Sequence, residues 1–148
     1  MSLRHPKASF AVIGQPVDHS LSPFIHKLFA RQWTLDLDYR AIELSPDGLA
    51  AGLATFAADG GYGLNVTLPH KRAVIALCGS LSAGARRAQA VNTLTAIDGS
   101  WHGDNTDGIG LVNDLCQRRG IDLRERRTLL LGAGGAVDRP RQIQFRRR

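Results

Sequence analysis

The stretch Leu64-Asn65-Val66-Thr67-Leu68-Pro69-His70-Lys71 sets two small polar side chains at alternate positions of an apolar run and, past a proline, a lysine. Such a run reads as a strand, and Pro69 both stops it and can open a helix at its first turn. Lys71 is then expected in that first turn, where the partial positive charge of a helix N-terminus eases the loss of its proton. A lysine so placed suits proton exchange with a reacting group. The same residues also fit an exposed lysine that begins an ordinary amphipathic helix.

Three other turns carry polar groups of comparable promise. Asp18-His19-Ser20-Leu21-Ser22-Pro23 precedes Phe24 to Trp33, in which Ile25, Leu28, Phe29 and Trp33 share a helical face. Ser22 is placed as N-cap, with Pro23 at the first helical position. Ser20 has no such duty, and two hydroxyls beside a helix N-terminus can clamp a carboxylate. Asn92 sits at the mouth of an expected hairpin. The run Gly103-Asp104-Asn105-Thr106-Asp107-Gly108 leads into a helix expected over Ile109 to Arg119, with Ile109, Leu111, Val112 and Leu115 inward; Asp107 also fits a simple cap of that helix.

The elements that would position these groups alternate. Strands are predicted at Ser9 to Ile13, Asp38 to Leu44 and Gly63 to Thr67, and helices at Phe24 to Trp33, from Ser45-Pro46-Asp47 through Leu49, Leu53 and Phe56 to a stop at Gly60-Gly61, and at Pro69 to Leu77. A short fourth helix is predicted over Leu81 to Ala88. Val91 to Ile97, the Asp98-Gly99 turn and Ser100 to Gly103 form the hairpin. Strand-helix alternation is the rhythm of parallel α/β architecture. Near the end, the strand Arg127 to Leu131 runs into Gly132-Ala133-Gly134-Gly135-Ala136, the opening of a dinucleotide-binding βαβ unit. Pro140 would break the helix that should follow, and the sequence stops at Arg148, before a second strand or a ribose-recognising residue.

Composition bounds the function classes. The 148 residues are 43% hydrophobic and 22% charged, enough for a real core. Residues 137 to 148 hold five of the 19 basic and one of the 13 acidic side chains, leaving a net +2 of the overall +6 on the first 136 residues. The basic character therefore belongs to a short tail, which argues against a nucleic-acid-binding face. No apolar run suits a membrane span and no signal peptide is evident, so a cytoplasmic protein is expected. Cys78 and Cys116 are too few and too far apart for a metal site, and reduced thiols are expected.

The chain resembles the shikimate dehydrogenase family over residues 8 to 136. The resemblance rests on five motifs in the family's order: Ser20-Leu21-Ser22-Pro23 with Ile25-His26, Asn65 to Lys71, Gln89-Ala90-Val91-Asn92-Thr93, Gly103 to Gly108, and Gly132 to Ala136. It implies that Lys71 and Asp107 handle the proton of the reacting hydroxyl. It implies that Ser20 and Ser22 hold the substrate carboxylate, and that Asn65, Thr67, Asn92 and Asp107 line the same pocket. It further implies an NADP site at Gly132, Ala133, Gly134, Gly135 and Ala136. The implied reaction is NADP-dependent interconversion of 3-dehydroshikimate and shikimate in aromatic amino-acid biosynthesis; a quinate/shikimate dehydrogenase is the close variant.

The expected architecture is α/β: a three-layer substrate-binding domain with a mainly parallel sheet and an antiparallel edge hairpin, followed by an incomplete Rossmann-type stub. The expected divisions are 1–104 for the substrate domain, 105–136 for a bridging helix with the first strand and glycine turn of a cofactor domain, and 137–148 for a disordered basic tail. The tail resembles nothing in the family, as an altered reading frame or a truncated gene would give. Two alternatives to the enzyme follow: a module that binds shikimate-like acids without productive NADP binding, and an interaction protein whose arginine tail meets an acidic surface. The apolar strand at Thr128 to Leu131 is expected to act as an aggregation hazard or a homodimerisation edge.

Overall fold

The computed structural model describes residues 8–124. The predicted strand at Arg127 to Leu131, the glycine turn Gly132 to Ala136 and the basic tail lie outside the described residues, and the first seven residues do as well.

Strand β1 (Ala8–Gly14) lies at the heart of the sheet, between β2 (Leu37–Glu43) and β3 (Gly61–Val66), parallel to both. Its side chains alternate between two faces, as a pleated strand requires. Ala11 and Ile13 join the larger core, and Val12 the smaller one on the other side. Helix α2 (Leu49–Ala58) covers the larger core with Leu49, Leu53 and Phe56, a spacing of four and then three residues that keeps them on one stripe. Burial of each such side chain is worth about 1.5–3 kcal/mol.

Beyond β3 the sheet turns antiparallel. The hairpin of β5 (Thr93–Ile97) and β6 (Ser100–Asp104) pairs through β5 with β3. Its turn has Asp98 and Gly99 at φ of 49° and 76°, the left-handed pair that a two-residue hairpin turn demands. The hairpin was expected at the sheet edge, but the two-residue strand β4 (Ser80–Leu81) lies outside it, parallel to β6. The order is β2-β1-β3-β5-β6-β4, with three parallel and two antiparallel pairings. Helix α1 (Ser22–Gln32) packs on β2 and β1, and α3 (Ala83–Ala88) against β6 and β4. Ala85 of α3 enters the same core as α2, while His26 of α1 stacks on Tyr39 of the smaller core, so helices flank both faces of the sheet and the α/β three-layer expectation holds.

Three local expectations are corrected. Residues 69–72 form turns instead of a helical first turn, Leu68-Pro69 is a cis peptide, and only Ala73–Leu77 winds, as a 3₁₀ helix. The cause is visible at Lys71, whose carbonyl accepts the Val91 amide at 2.7 Å and so points across to another segment, not along a helix axis. The Ser22 hydroxyl makes no cap bond; Leu21 is the N-cap, and Ser20 Oγ accepts the Ser22 amide at 3.3 Å. Helix α4 (Asp107–Asn113) passes into a π-helical turn at Asp114–Arg118, and half of its expected inward face is open: Ile109 and Leu111 are 64% and 51% exposed, while Val112 and Leu115 are partly buried. Among the described residues no side chain of α4 is fully buried.

Both cysteines are free thiols, and Cys78 Sγ donates to the Val74 carbonyl at 3.3 Å. Among the described residues no helix is long and apolar enough to cross a membrane.

Candidate active site

The C-terminal ends of β1 and β3 open onto a cleft of about 450 Å³. Parallel strands leave such a crevice because their connections depart in different directions there. Gly14 ends β1, and the chain swings through Gln15-Pro16, a cis peptide, to Ser20 and Ser22 at the start of α1. β3 continues the pairing past its formal end: the Thr67 amide donates to Ile13 and the Gln15 amide to Leu68, both at 2.9 Å. These bonds hold the serine turn and the Thr67-Lys71 turn side by side across the cleft.

All seven side chains singled out before residue 124 line this one cleft: Ser20, Ser22, Asn65, Thr67, Lys71, Asn92 and Asp107. They come from four separate turns or strand ends. Gly132, Ala133, Gly134, Gly135 and Ala136 lie outside the described residues, so their relation to the cleft is not described.

The charged centre is a pair. Lys71 Nζ donates to Asp107 Oδ2 at 2.7 Å, with side chains only 13% and 27% exposed. Asp107 was open to reading as a helix cap, yet its carboxylate does different work. Its second oxygen, Oδ1, accepts from Asn92 Nδ2 at 2.8 Å, so both oxygens are engaged by side chains from other segments. Asn92 is itself fixed: its Oδ1 accepts the Thr106 amide at 3.0 Å and the Thr93 hydroxyl at 2.9 Å. A backbone N–H can only donate, which settles which end of the Asn92 carboxamide faces Asp107.

The backbone carrying Lys71 is anchored on both sides. His70 is 1% exposed, its Nε2–H donating to the Leu44 carbonyl at 2.8 Å. The Asn92 amide donates to Asp104 and the Val66 amide to Asn92, so the strand ends bearing Asn65 and Asn92 are tied together. Asp107 is placed by the Asn105 side chain, which accepts the Asp107 amide at 3.1 Å and donates to the Ala90 carbonyl at 3.0 Å. The result is a lysine held by an oriented carboxylate in the same cleft as two serine hydroxyls.

Sequence reasoning missed three residues here. His19 and His26 line the cleft, and Tyr39 stands behind it with its hydroxyl donating to Asn65 Oδ1 at 2.6 Å. His26 stacks on Tyr39 with ring centroids 4.0 Å apart and planes 11° from parallel. Burial pushes the Tyr39 phenol up to about 12, a hydrogen bond with the Ser22 side chain opposing the rise. The signal for Tyr39 was a long aromatic in an alternating strand, but the register that sets it beside Phe10, and Asn65 beside Val12, is a tertiary fact.

Residues 12–94 match the family model described as the shikimate dehydrogenase substrate binding domain. Shikimate dehydrogenase (NADP(+)) of Xylella fastidiosa (strain M12) is 60% identical over 132 residues, covering 89% of this chain and 47% of that protein. The enzyme of the same name from Stenotrophomonas maltophilia (strain R551-3) is 60% identical over 128 residues, covering 86% and 46%. The chain thus spans about half the length of the curated relatives it matches. The crystal structure of shikimate 5-dehydrogenase from Thermus thermophilus in complex with shikimate superposes with a TM-score of 0.81 at 38% identity, covering 87% of this chain and 49% of that one. The sheet order, the cleft at the strand ends and these matches lead to one conclusion: the chain belongs to the shikimate dehydrogenase family.

Proposed function

We propose that this chain carries the substrate-binding and proton-transferring half of an NADP-dependent shikimate dehydrogenase, which interconverts 3-dehydroshikimate and shikimate. The observation that carries the reading is the Lys71–Asp107 pair, 2.7 Å apart, in the same cleft as Ser20 and Ser22. A ring acid bearing several hydroxyls needs a carboxylate clamp, hydroxyl partners and one proton-transfer group, and the cleft supplies all three. Ser20 and Ser22 hold the carboxylate; Asn65, Thr67 and Asn92 hydrogen-bond the ring hydroxyls. Lys71 gives a proton to the ketone oxygen as it becomes an alkoxide, and takes it back in the reverse direction. Asp107 orients the ammonium group and hydrogen-bonds the reacting hydroxyl.

The chemistry of these residues fits a nicotinamide reaction, since they manage a proton and the orientation of an alcohol. NADPH, when bound, supplies the hydride. Gly132, Ala133, Gly134, Gly135 and Ala136 would hold it, with 1–104 as the substrate domain, 105–136 as the bridge into the cofactor domain and 137–148 as a basic tail. We assign the protein to the cytoplasm, with no nucleic-acid partner and a second copy of itself as its partner.

A second reading rests on the same cleft. The side chains that line it all lie within residues 12–107, so a small acid would meet them without reference to the glycine turn. This favours a module that binds shikimate-like acids without turnover. Calorimetric titration with shikimate, then with NADP, followed by a dehydrogenase assay separates the two. Shikimate binding with NADP-dependent turnover supports the enzyme, and shikimate binding alone supports the module. No shikimate binding overturns both.

A further inference from the structure

Asn65 has a carboxamide with two ends, and the structure commits one of them. Its Oδ1 accepts the Tyr39 hydroxyl at 2.6 Å, a short bond to a phenol that is only 3% exposed. No buried side-chain nitrogen or oxygen among the described residues lacks a partner, and the Asn65 Nδ2 has no protein acceptor. That NH2 group is therefore accessible; Asn65 lines both the cleft and a neighbouring hollow of about 410 Å³ that it shares with Phe10, Leu37, Tyr39 and Tyr62.

Tyr39 is itself held from behind. Its ring packs with Val12 and Val17, and Phe10 and Leu37 close the same small cluster. His26 stacks flat on it, and the His26 Nδ1 meets the Ser22 carbonyl at 2.9 Å. A phenol pinned on both faces can hold a carboxamide in one of its two orientations. Turned the other way, Asn65 would offer the cleft an acceptor in place of donors.

We propose that Tyr39 is a positioning residue for substrate recognition: it fixes the Asn65 carboxamide so that two N–H donors face the cleft, selecting a ligand with a hydroxyl oxygen at that point. This rests on the reading of the cleft as a site for a hydroxylated ring acid. The specificity arises because a hydroxyl oxygen meets N–H donors already held in place, whereas a ligand without that oxygen leaves them unmet.

The test is calorimetric titration of the full chain, its Tyr39→Phe and Asn65→Ala variants and the double variant. The two ligands are shikimate and cyclohex-1-ene-1-carboxylate, which keeps the ring acid and lacks the hydroxyls. Tyr39→Phe is expected to weaken shikimate about fivefold to tenfold, the scale of one hydrogen bond, and to weaken the hydroxyl-free acid clearly less, since that ligand meets only the carboxylate clamp of which Ser22 is part. In the Asn65→Ala background the same change should cost shikimate clearly less than it does in the wild-type background. Equal losses for both ligands, an undiminished loss in the Asn65→Ala background, or no loss at all overturns the proposal. Should the Tyr39→Phe chain fail to fold, Asn65→Ala with Tyr39 intact decides: it must weaken shikimate while sparing the hydroxyl-free acid. A wild-type chain that binds neither acid overturns the reading of the cleft itself, and this inference with it.

Discussion

Lys71 and Asp107 lie 36 residues apart in sequence and meet at 2.7 Å, Nζ to Oδ2, with Asn92 holding the other carboxylate oxygen at 2.8 Å. The pair spans two units of the fold that share no backbone pairing there: Lys71 follows β3, and Asp107 opens α4. Its removal therefore loosens the junction between them. Asp107→Asn keeps the side-chain volume but leaves a mostly buried ammonium without its counter-charge. A fully buried pair broken this way costs about 3–5 kcal/mol and an exposed one under about 1. With the partners 13% and 27% exposed, a loss of about 1–2 kcal/mol is expected by urea unfolding. An unchanged unfolding midpoint would show that the pair contributes nothing to the fold.

The same pair makes a kinetic prediction under the enzyme reading. Lys71→Met removes the transferable proton while leaving Ser20, Ser22, Asn65 and Thr67 in place around the ligand. In a shikimate oxidation assay kcat should fall about 10²- to 10⁴-fold, with KM for shikimate changed little. A rise in KM at unchanged kcat would make Lys71 a binding group only.

Gly14 supplies a third test, because its place at the end of β1 leaves no room for a side chain. A Cβ there would stand 2.5 Å from Thr67 Cγ2 and 3.0 Å from the Leu68 carbonyl oxygen. The first contact pushes Thr67, a cleft residue, and the second pushes backbone that cannot give way cheaply. Gly14→Ala is expected to cost about 1–3 kcal/mol of stability and to weaken shikimate binding through the displaced Thr67 turn. Unaltered affinity in the folded variant would separate the Thr67 turn from ligand binding.

Much of this site was legible because the chemistry sits at strand ends, where turn residues are easy to recognise. Asp98-Gly99 specified its hairpin, and Leu49, Leu53 and Phe56 specified the buried stripe of α2. The misreadings have different causes. Ser22 had the sequence context of a cap and Pro69 that of a helix start, but a distant segment took over at Lys71, whose carbonyl accepts the Val91 amide, and a local bond did so at Ser22, whose amide turns to Ser20. Ile109 and Leu111 have the spacing of an inward face, yet period alone does not say what lies opposite. Tyr39 escaped notice because its importance lies in register, β2 against β1 and β1 against β3, which local pattern does not encode.

Tyr39 also gives the cleft an alkaline signature. Burial holds its phenol up to about 12 against an ordinary value of 10.0, so the folded state favours the neutral form that donates to Asn65. With the folded value raised above the unfolded one, the stabilisation is fully present below pH 10 and is lost as pH rises through 12. The residue is 3% exposed, so solvent screens little of the effect. Two units correspond to about 2–3 kcal/mol. Other groups titrate in the same range, so the informative quantity is the difference between wild type and Tyr39→Phe, measured by urea unfolding at a series of pH values. That difference should be flat up to about pH 10 and then shift by about 2–3 kcal/mol against the wild type by about pH 12. A difference independent of pH would mean that the hydroxyl ionises as freely in the fold as in the unfolded chain, and that its bond to Asn65 does not hold the proton in place.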